Sequence, residues 1–243
     1  MIAVTREGEG SPILFVHGGA SPETTWSPVR VLAARWTLLF AHRRGYPPSP
    51  PPEVRQDFEV DAADLAPLLG AEVNVVAHSY GVLGTLIAAA ASPERVRSLT
   101  LIEPPLYFVA GEDPEVARVE RLGDEMLTKG LDMDPLRLRE FLRLAGAPVE
   151  DEGPLGEDVE RGVRRAHGGR LPGEAHPDLD AIRHAGVPSL ILSGGHAPAI
   201  ERICDGLAAE LGGSRATLPG GGHFVAHARG FNERLEAFLQ TGA

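Results

Sequence analysis

The chain predicts an α/β fold: a mostly parallel central sheet with helices on both faces and an inserted helical region. Three observations carry this prediction. Short apolar or β-branched runs of buried type alternate with helical patterns over 1–105 and again over 187–243, the order that builds parallel strands through right-handed crossovers. Between them, 106–186 has no β-branched run and consists of charged, helix-forming segments broken by Gly and Pro. The chain has 243 residues, 43% of them hydrophobic, enough to bury one core with an insertion.

In chain order, 2–5 reads as a short strand closed by Gly8 and Gly10, and 13–17 as a second, buried one. Gly18-Gly19-Ala20-Ser21-Pro22 then forms a loop whose backbone can approach a ligand. Residues 24–36 carry Trp26, Val29, Leu32 and Ala33 at helical spacing. A third strand, 37–41, runs into His42-Arg43-Arg44-Gly45-Tyr46 and a proline cluster that can only be a surface loop. Residues 58–69 read as an amphipathic helix with Val60, Leu65, Leu68 and Leu69 inward. Strands follow at 73–77, 98–102, 189–193 and 216–218. Helices are expected at 81–91, 114–129, 135–145, 157–167, 177–184, 199–211 and 231–238.

Composition narrows the function. A net charge of −11 argues against a nucleic-acid surface, which needs clustered Lys and Arg. A single cysteine, Cys204, excludes an internal disulfide and a thiolate metal centre and is compatible with a reducing compartment. No secretory leader or bilayer-length apolar run is visible, so a cytoplasmic protein without a membrane partner is expected. The histidines show no metal-ligand spacing, and Gly18-Gly19 is not a dinucleotide fingerprint, so neither metal nor cofactor is expected. Oligomeric state is not readable.

The stretch 73–91 organises the chain: a buried strand, a corner at Ser79, and an alanine-rich helix. A corner this tight needs small neighbours, and Ala77 and Gly81 supply them. Ala77-His78-Ser79-Tyr80-Gly81 resembles the G-x-S-x-G nucleophile elbow of α/β-hydrolases, with alanine at the first glycine. The His17-Gly18-Gly19 loop, the Arg43-Arg44-Gly45 segment, the Ile102-Glu103-Pro104-Pro105 strand end and the late Gly221-Gly222-His223 follow in that family's order. The chain therefore resembles an esterase-like serine α/β-hydrolase with a helical cap, over nearly its whole length. The resemblance implies a core domain of 1–105 and 187–243 and a cap of 106–186. It also implies Ser79 as nucleophile, His223 as general base, and an oxyanion hole from the backbone N–H groups of Gly19 and Tyr80.

Three departures from the family stand out. Only one strand precedes the His-Gly strand. His42 occupies a position where an aspartate is common, with consequences for loop packing. Ala197 occupies the usual place of the triad acid, before Pro198. A serine needs a base held in one tautomer by a carboxylate, and Glu103 is the best replacement: it ends the strand expected beside the nucleophile strand. Pro104 biases it toward an extended backbone. His17 is expected to stabilise its own loop, and with Gly18 and His78 to border the substrate. Tyr107 and Phe108 are expected to wall the pocket at the cap entrance.

The reading is a cofactor-free hydrolase of an ester, lactone or similar activated carbonyl, with a small apolar carbonyl substrate. Two alternatives stay open: C–C bond hydrolysis or lyase chemistry at the same site, and a non-catalytic ligand-binding protein that lost its triad at Ala197.

Overall fold

The computed structural model describes residues 1–53, 55–70 and 72–241. Seven strands form one sheet: β1 (Ala3–Glu7), β2 (Pro12–Val16), β3 (Thr37–His42), β4 (Val73–His78), β5 (Val96–Ile102), β6 (Ser189–Ser193) and β7 (Ser214–Thr217), in the order β1-β3-β2-β4-β5-β6-β7. Only β1 runs antiparallel, pairing with β3 at the edge; all other pairs are parallel. The alternation of strands and helices therefore yields the predicted parallel sheet. Every residue of β4 and β6 is buried, as a strand covered on both faces requires.

The helices are α1 (Pro22–Trp26), α2 (Phe58–Leu65), α3 (Gly81–Ala91), α4 (Pro114–Lys129), α5 (Pro135–Leu144), α6 (Glu157–Ala166), α7 (Leu179–His184), α8 (Pro198–Leu211) and α9 (Phe231–Thr241). One face of the sheet buries Leu14, Val75 and Ile191 against Phe58, Leu83, Ile182 and Ile203 of α2, α3, α7 and α8. The other buries Phe15, Phe40 and Val76 against Trp26, Phe231 and Leu235. A third cluster, with Leu122, Met126, Leu138, Leu142 and Val163 of α4, α5 and α6 and Met133 between α4 and α5, lies wholly within the insertion.

Local chemistry explains where sequence reading fails and where it holds. The single helix expected over 24–36 is a five-residue α1 followed by a 3-10 turn, Ser27–Ala34, because Pro28 removes an N–H and clashes with the preceding turn. Pro67 likewise ends α2 at Leu65 and leaves a 3-10 turn, Ala66–Leu68. Val60, expected inside, is 42% exposed, since α2 turns Phe58, Asp61, Ala62 and Leu65 inward. In the insertion, Asp113 and Asp134 each cap a helix whose first residue is proline, a start signal that reads directly from sequence.

Candidate active site

Ser79 sits between β4 and α3 with φ of 52°, in the left-handed region where a non-glycine residue costs about 1–3 kcal/mol. Its N–H donates to the Ile102 carbonyl at 2.8 Å, and its own carbonyl accepts from Val82 at 2.9 Å. The strain is thus held between the neighbouring strand and the first turn of α3. A Cβ on Gly81 would stand 2.3 Å from the His17 carbonyl oxygen, and one on Gly18 would stand 2.7 Å from Ser79 Cβ. Ala77 is fully buried with its methyl accommodated. Only the second small position of the elbow, and the facing Gly18, are therefore obliged to be glycine.

The His17 loop is fastened from behind. His17 Nε2 accepts from the Arg43 N–H at 3.1 Å, and its Nδ1–H donates to the Gly18 carbonyl at 3.1 Å. Arg43 Nη1 donates to the same carbonyl at 2.9 Å, while Nε and Nη2 bind Asp61 at 2.9 and 2.6 Å. Arg43 and Asp61 are both buried. Burial, then the Arg43 charge, lowers the His17 pKa well below its ordinary value, so the ring stays neutral. In a trans peptide the Gly19 N–H points opposite the Gly18 carbonyl, so anchoring that carbonyl orients the amide that the resemblance implies for an oxyanion hole. Tyr46 fixes the next unit by donating to the Gly19 carbonyl at 2.7 Å. The Arg43–Asp61 pair was not singled out in sequence; its signal is an aspartate on the otherwise apolar core face of α2.

Glu103 follows β5 directly. It is 1% exposed and has φ of 47°, which corrects the extended backbone expected before Pro104. Its N–H still continues the ladder to the Leu192 carbonyl at 3.0 Å, while its carboxylate is held on both oxygens. Oε2 accepts from His223 Nδ1 at 2.7 Å and Oε1 from the Gly194 N–H at 2.7 Å. His196 Nδ1 stands 3.3 Å from Oε1. These bonds outweigh the preference of the following proline. Burial pushes the carboxyl up, but hydrogen bonds from His196 and His223 and their charge pull it further down, to about 2.

His223 is delivered by contact between two loops: a Cβ on Gly194 would meet the Gly222 carbonyl oxygen at 2.0 Å. His78 Nε2–H donates to the His223 carbonyl at 2.9 Å, with ring centroids 4.6 Å apart. Burial, then His223, lowers the His78 pKa to about 3, so His78 supports the His223 backbone as a neutral ring. The Ser79 hydroxyl has no side-chain hydrogen bond among the described residues; such bonds are often long in ligand-free sites.

Ala197 is the N-cap residue of α8 and offers no side-chain oxygen. Glu201, one turn on, is engaged elsewhere, accepting from Ser193 Oγ at 2.7 Å and from Arg215 Nη2 at 2.5 Å. The Tyr80 phenol donates to the Arg170 carbonyl at 2.9 Å, tying the elbow to the insertion. Tyr107 lies in the core cluster, and Phe108 is 47% exposed beside His176, with ring centroids 5.8 Å apart. The structure therefore does not unite these two on one pocket wall. Their turn, Tyr107–Ala110, packs back on α8, where Gly206 leaves room for the Val109 carbonyl. Donor atoms of Glu103, His196 and His223 lie within 4.8 Å of one another, but the His223 nitrogen facing the carboxylate is already spent on a proton-mediated bond.

A model of the alpha/beta hydrolase family matches residues 13–234. The chain belongs to that family. Two curated relatives match parts of this α/β-hydrolase. A 2-(acetamidomethylene)succinate hydrolase of Mesorhizobium japonicum is 31% identical over 110 residues, 43% of this chain and 40% of the relative. A haloalkane dehalogenase of Agrobacterium fabrum is 30% identical over 122 residues, 46% of this chain and 38% of the relative. The matched stretches thus span well under half of either relative. Among solved structures, an alpha/beta hydrolase from Sphaerobacter thermophilus superposes with a TM-score of 0.67 at 23% identity, over 98% of this chain and 96% of that one. The sheet order and helical layers of this α/β-hydrolase are those of the fold its sequence resembles. No helix among the described residues is long and apolar enough to cross a membrane.

Proposed function

We propose that this α/β-hydrolase is a serine hydrolase that cleaves an ester, lactone or similar activated carbonyl through an acyl-enzyme. Ser79 Oγ attacks the carbonyl carbon as His223 Nε2 takes its proton. The Gly19 and Tyr80 backbone N–H groups stabilise the oxyanion of the tetrahedral adduct. Collapse breaks the bond to the alkoxy group, which leaves with the proton from His223. Water then attacks the acyl-enzyme, giving its proton to His223, and the second collapse releases the acid and restores Ser79. In a lactone the leaving oxygen stays on the same molecule, and the product is a hydroxy acid.

One observation carries this reading: the 2.7 Å bond from His223 Nδ1 to the buried carboxylate of Glu103, behind a serine at a strained elbow. It supports Glu103 as the acid in place of the residue lacking at Ala197. That carboxylate keeps the proton on Nδ1, so Nε2 is left as the base. One relative is named a hydrolase and the other a dehalogenase, and their substrates differ, so the carbonyl assignment rests on the residues. The insertion 106–186, with its own apolar cluster over α4, α5 and α6, serves as the cap that selects the substrate.

The test is labelling with a fluorophosphonate. Covalent modification at Ser79, lost in Ser79→Ala, together with hydrolysis of p-nitrophenyl acetate, is the expected result. An unlabelled, folded wild-type chain that binds small ligands without turning them over would replace this reading with the non-catalytic one.

A further inference from the structure

The loop that lacks the usual acid carries His196 just before Ala197, and both nitrogens of that ring have acceptor oxygens nearby. Nε2 lies 3.1 Å from the Leu144 carbonyl, which can only accept, so Nε2 carries a proton. Nδ1 lies 3.3 Å from Glu103 Oε1. In the neutral ring with its proton on Nε2, an Nδ1 lone pair would stand at ion-pair distance from a carboxylate oxygen. The imidazolium turns that repulsion into an ion pair while Nε2–H keeps the Leu144 carbonyl. Leu144 is the last residue of α5, so its carbonyl is an orphan of the helix end and the negative end of the helix dipole, which favours a cation. Two residues on, Gly146 has φ of 72°, and a Cβ there would stand 2.9 Å from His223 Cβ. The C-terminal turn of α5 thus touches His196 through one residue and His223 through another.

We propose that His196 is a positioning residue: its imidazolium clasps the α5 turn of the insertion to the Glu103 carboxylate and so sets Glu103 and His223 in register. This rests on the acid–base roles proposed above and extends them to the insertion. The ionisable groups around His196 are Glu103 at the end of β5, His223 in the loop after β7, with its ring centroid 6.3 Å away, and Glu201 on α8. The Glu103 hydrogen bond, set against burial, holds the His196 pKa above its ordinary value, which supports the cationic form. As pH rises through that pKa, the ion pair with Glu103 is lost.

Three variants separate the bonds. His196→Asn keeps a donor near the place of Nδ1 and cannot reach Leu144. His196→Gln keeps a donor near Nε2 and leaves Glu103 Oε1 without it. His196→Ala removes both. The measurements are pH profiles of kcat and KM on p-nitrophenyl acetate and the proton NMR resonance of His223 Nδ1–H in the ligand-free chain. Loss of a hydrogen bond to a charged group is expected to lower kcat about tenfold in His196→Ala, with less change in KM. The alkaline fall in wild-type kcat should vanish in all three variants. His196→Asn and His196→Gln each keep one arm of the clasp and release the other, so both should fall between wild type and His196→Ala in kcat, and the resonance should shift in all three. A folded His196→Ala chain with wild-type kcat, alkaline limb and resonance overturns the proposal. So does a His196→Asn or His196→Gln chain that matches wild type in kcat and resonance, since each has lost one arm of the clasp. The resonance needs no substrate, so it judges the clasp even if the chain proves inactive and unlabelled.

Discussion

Glu103→Gln keeps the volume of the side chain and removes its charge. The amide no longer dictates which nitrogen of His223 holds the proton. Turnover should fall by about 10⁴, the loss seen when a serine protease's triad acid becomes an amide, with far-ultraviolet circular dichroism unchanged. Steady-state kinetics decide this, and an enzyme within tenfold of wild type would remove Glu103 from the mechanism. The same carboxylate has a pH signature. Its pKa falls from an ordinary 4.5 to about 2 on folding, so its contribution to stability is complete above about pH 4.5 and is lost as pH falls through 2. Acid inactivation at pH 5–6 would therefore belong to another group.

At the scale of the element, the corner from β4 to α3 depends on where backbones meet. Gly81→Ala would push a methyl into the His17 carbonyl at 2.3 Å. Both flanking segments are fixed, one by the sheet and one by Arg43, so neither can retreat. Overpacking of this kind costs about 1–3 kcal/mol, and movement of His17 would also displace Gly18 and Gly19. A melting temperature lower than wild type together with a depressed kcat is the expected outcome, and a neutral Gly81→Ala would refute the close approach. Of the helices in the insertion, α4 and α5 were legible because an Asp cap followed by proline is a local signal. The helix expected over 24–36 was not, because periodicity at Trp26, Val29, Leu32 and Ala33 is shared by a 3-10 turn around Pro28.

For the whole molecule, packing within the insertion leaves one carboxyl poorly served. Asp124 on α4 has a buried Oδ1 without a partner among the described residues. Burial, then the charges of Glu120 and Glu174, raises its pKa from 3.8 to about 6. A carboxyl raised in this way binds its proton more tightly folded than unfolded, so stability falls as pH rises from about 4 to 6 and stays lower above. Asp124→Asn should therefore raise the melting temperature at pH 7.5 and leave it nearly unchanged at pH 4. Thermal melts at the two pH values test this; equal shifts at both would show that packing, not charge, is responsible.

The sequence by itself determined the sheet, the family resemblance and the chemical types at the site. Strand periodicity, the small residues around Ser79 and the order of the His-Gly, elbow and Gly-His segments are local properties that survive without coordinates. Tertiary structure alone decided which groups meet. His223 and Glu103 lie 120 residues apart, and their 2.7 Å contact depends on β5 lying beside β6 and on the close crossing of Gly194 and Gly222. Arg43 finds Asp61, and His196 finds both Leu144 and Glu103, by the same means. A hydrogen bond depends on position within a few tenths of an ångström, and no spacing along a chain conveys that until the sheet has brought its loops to one edge.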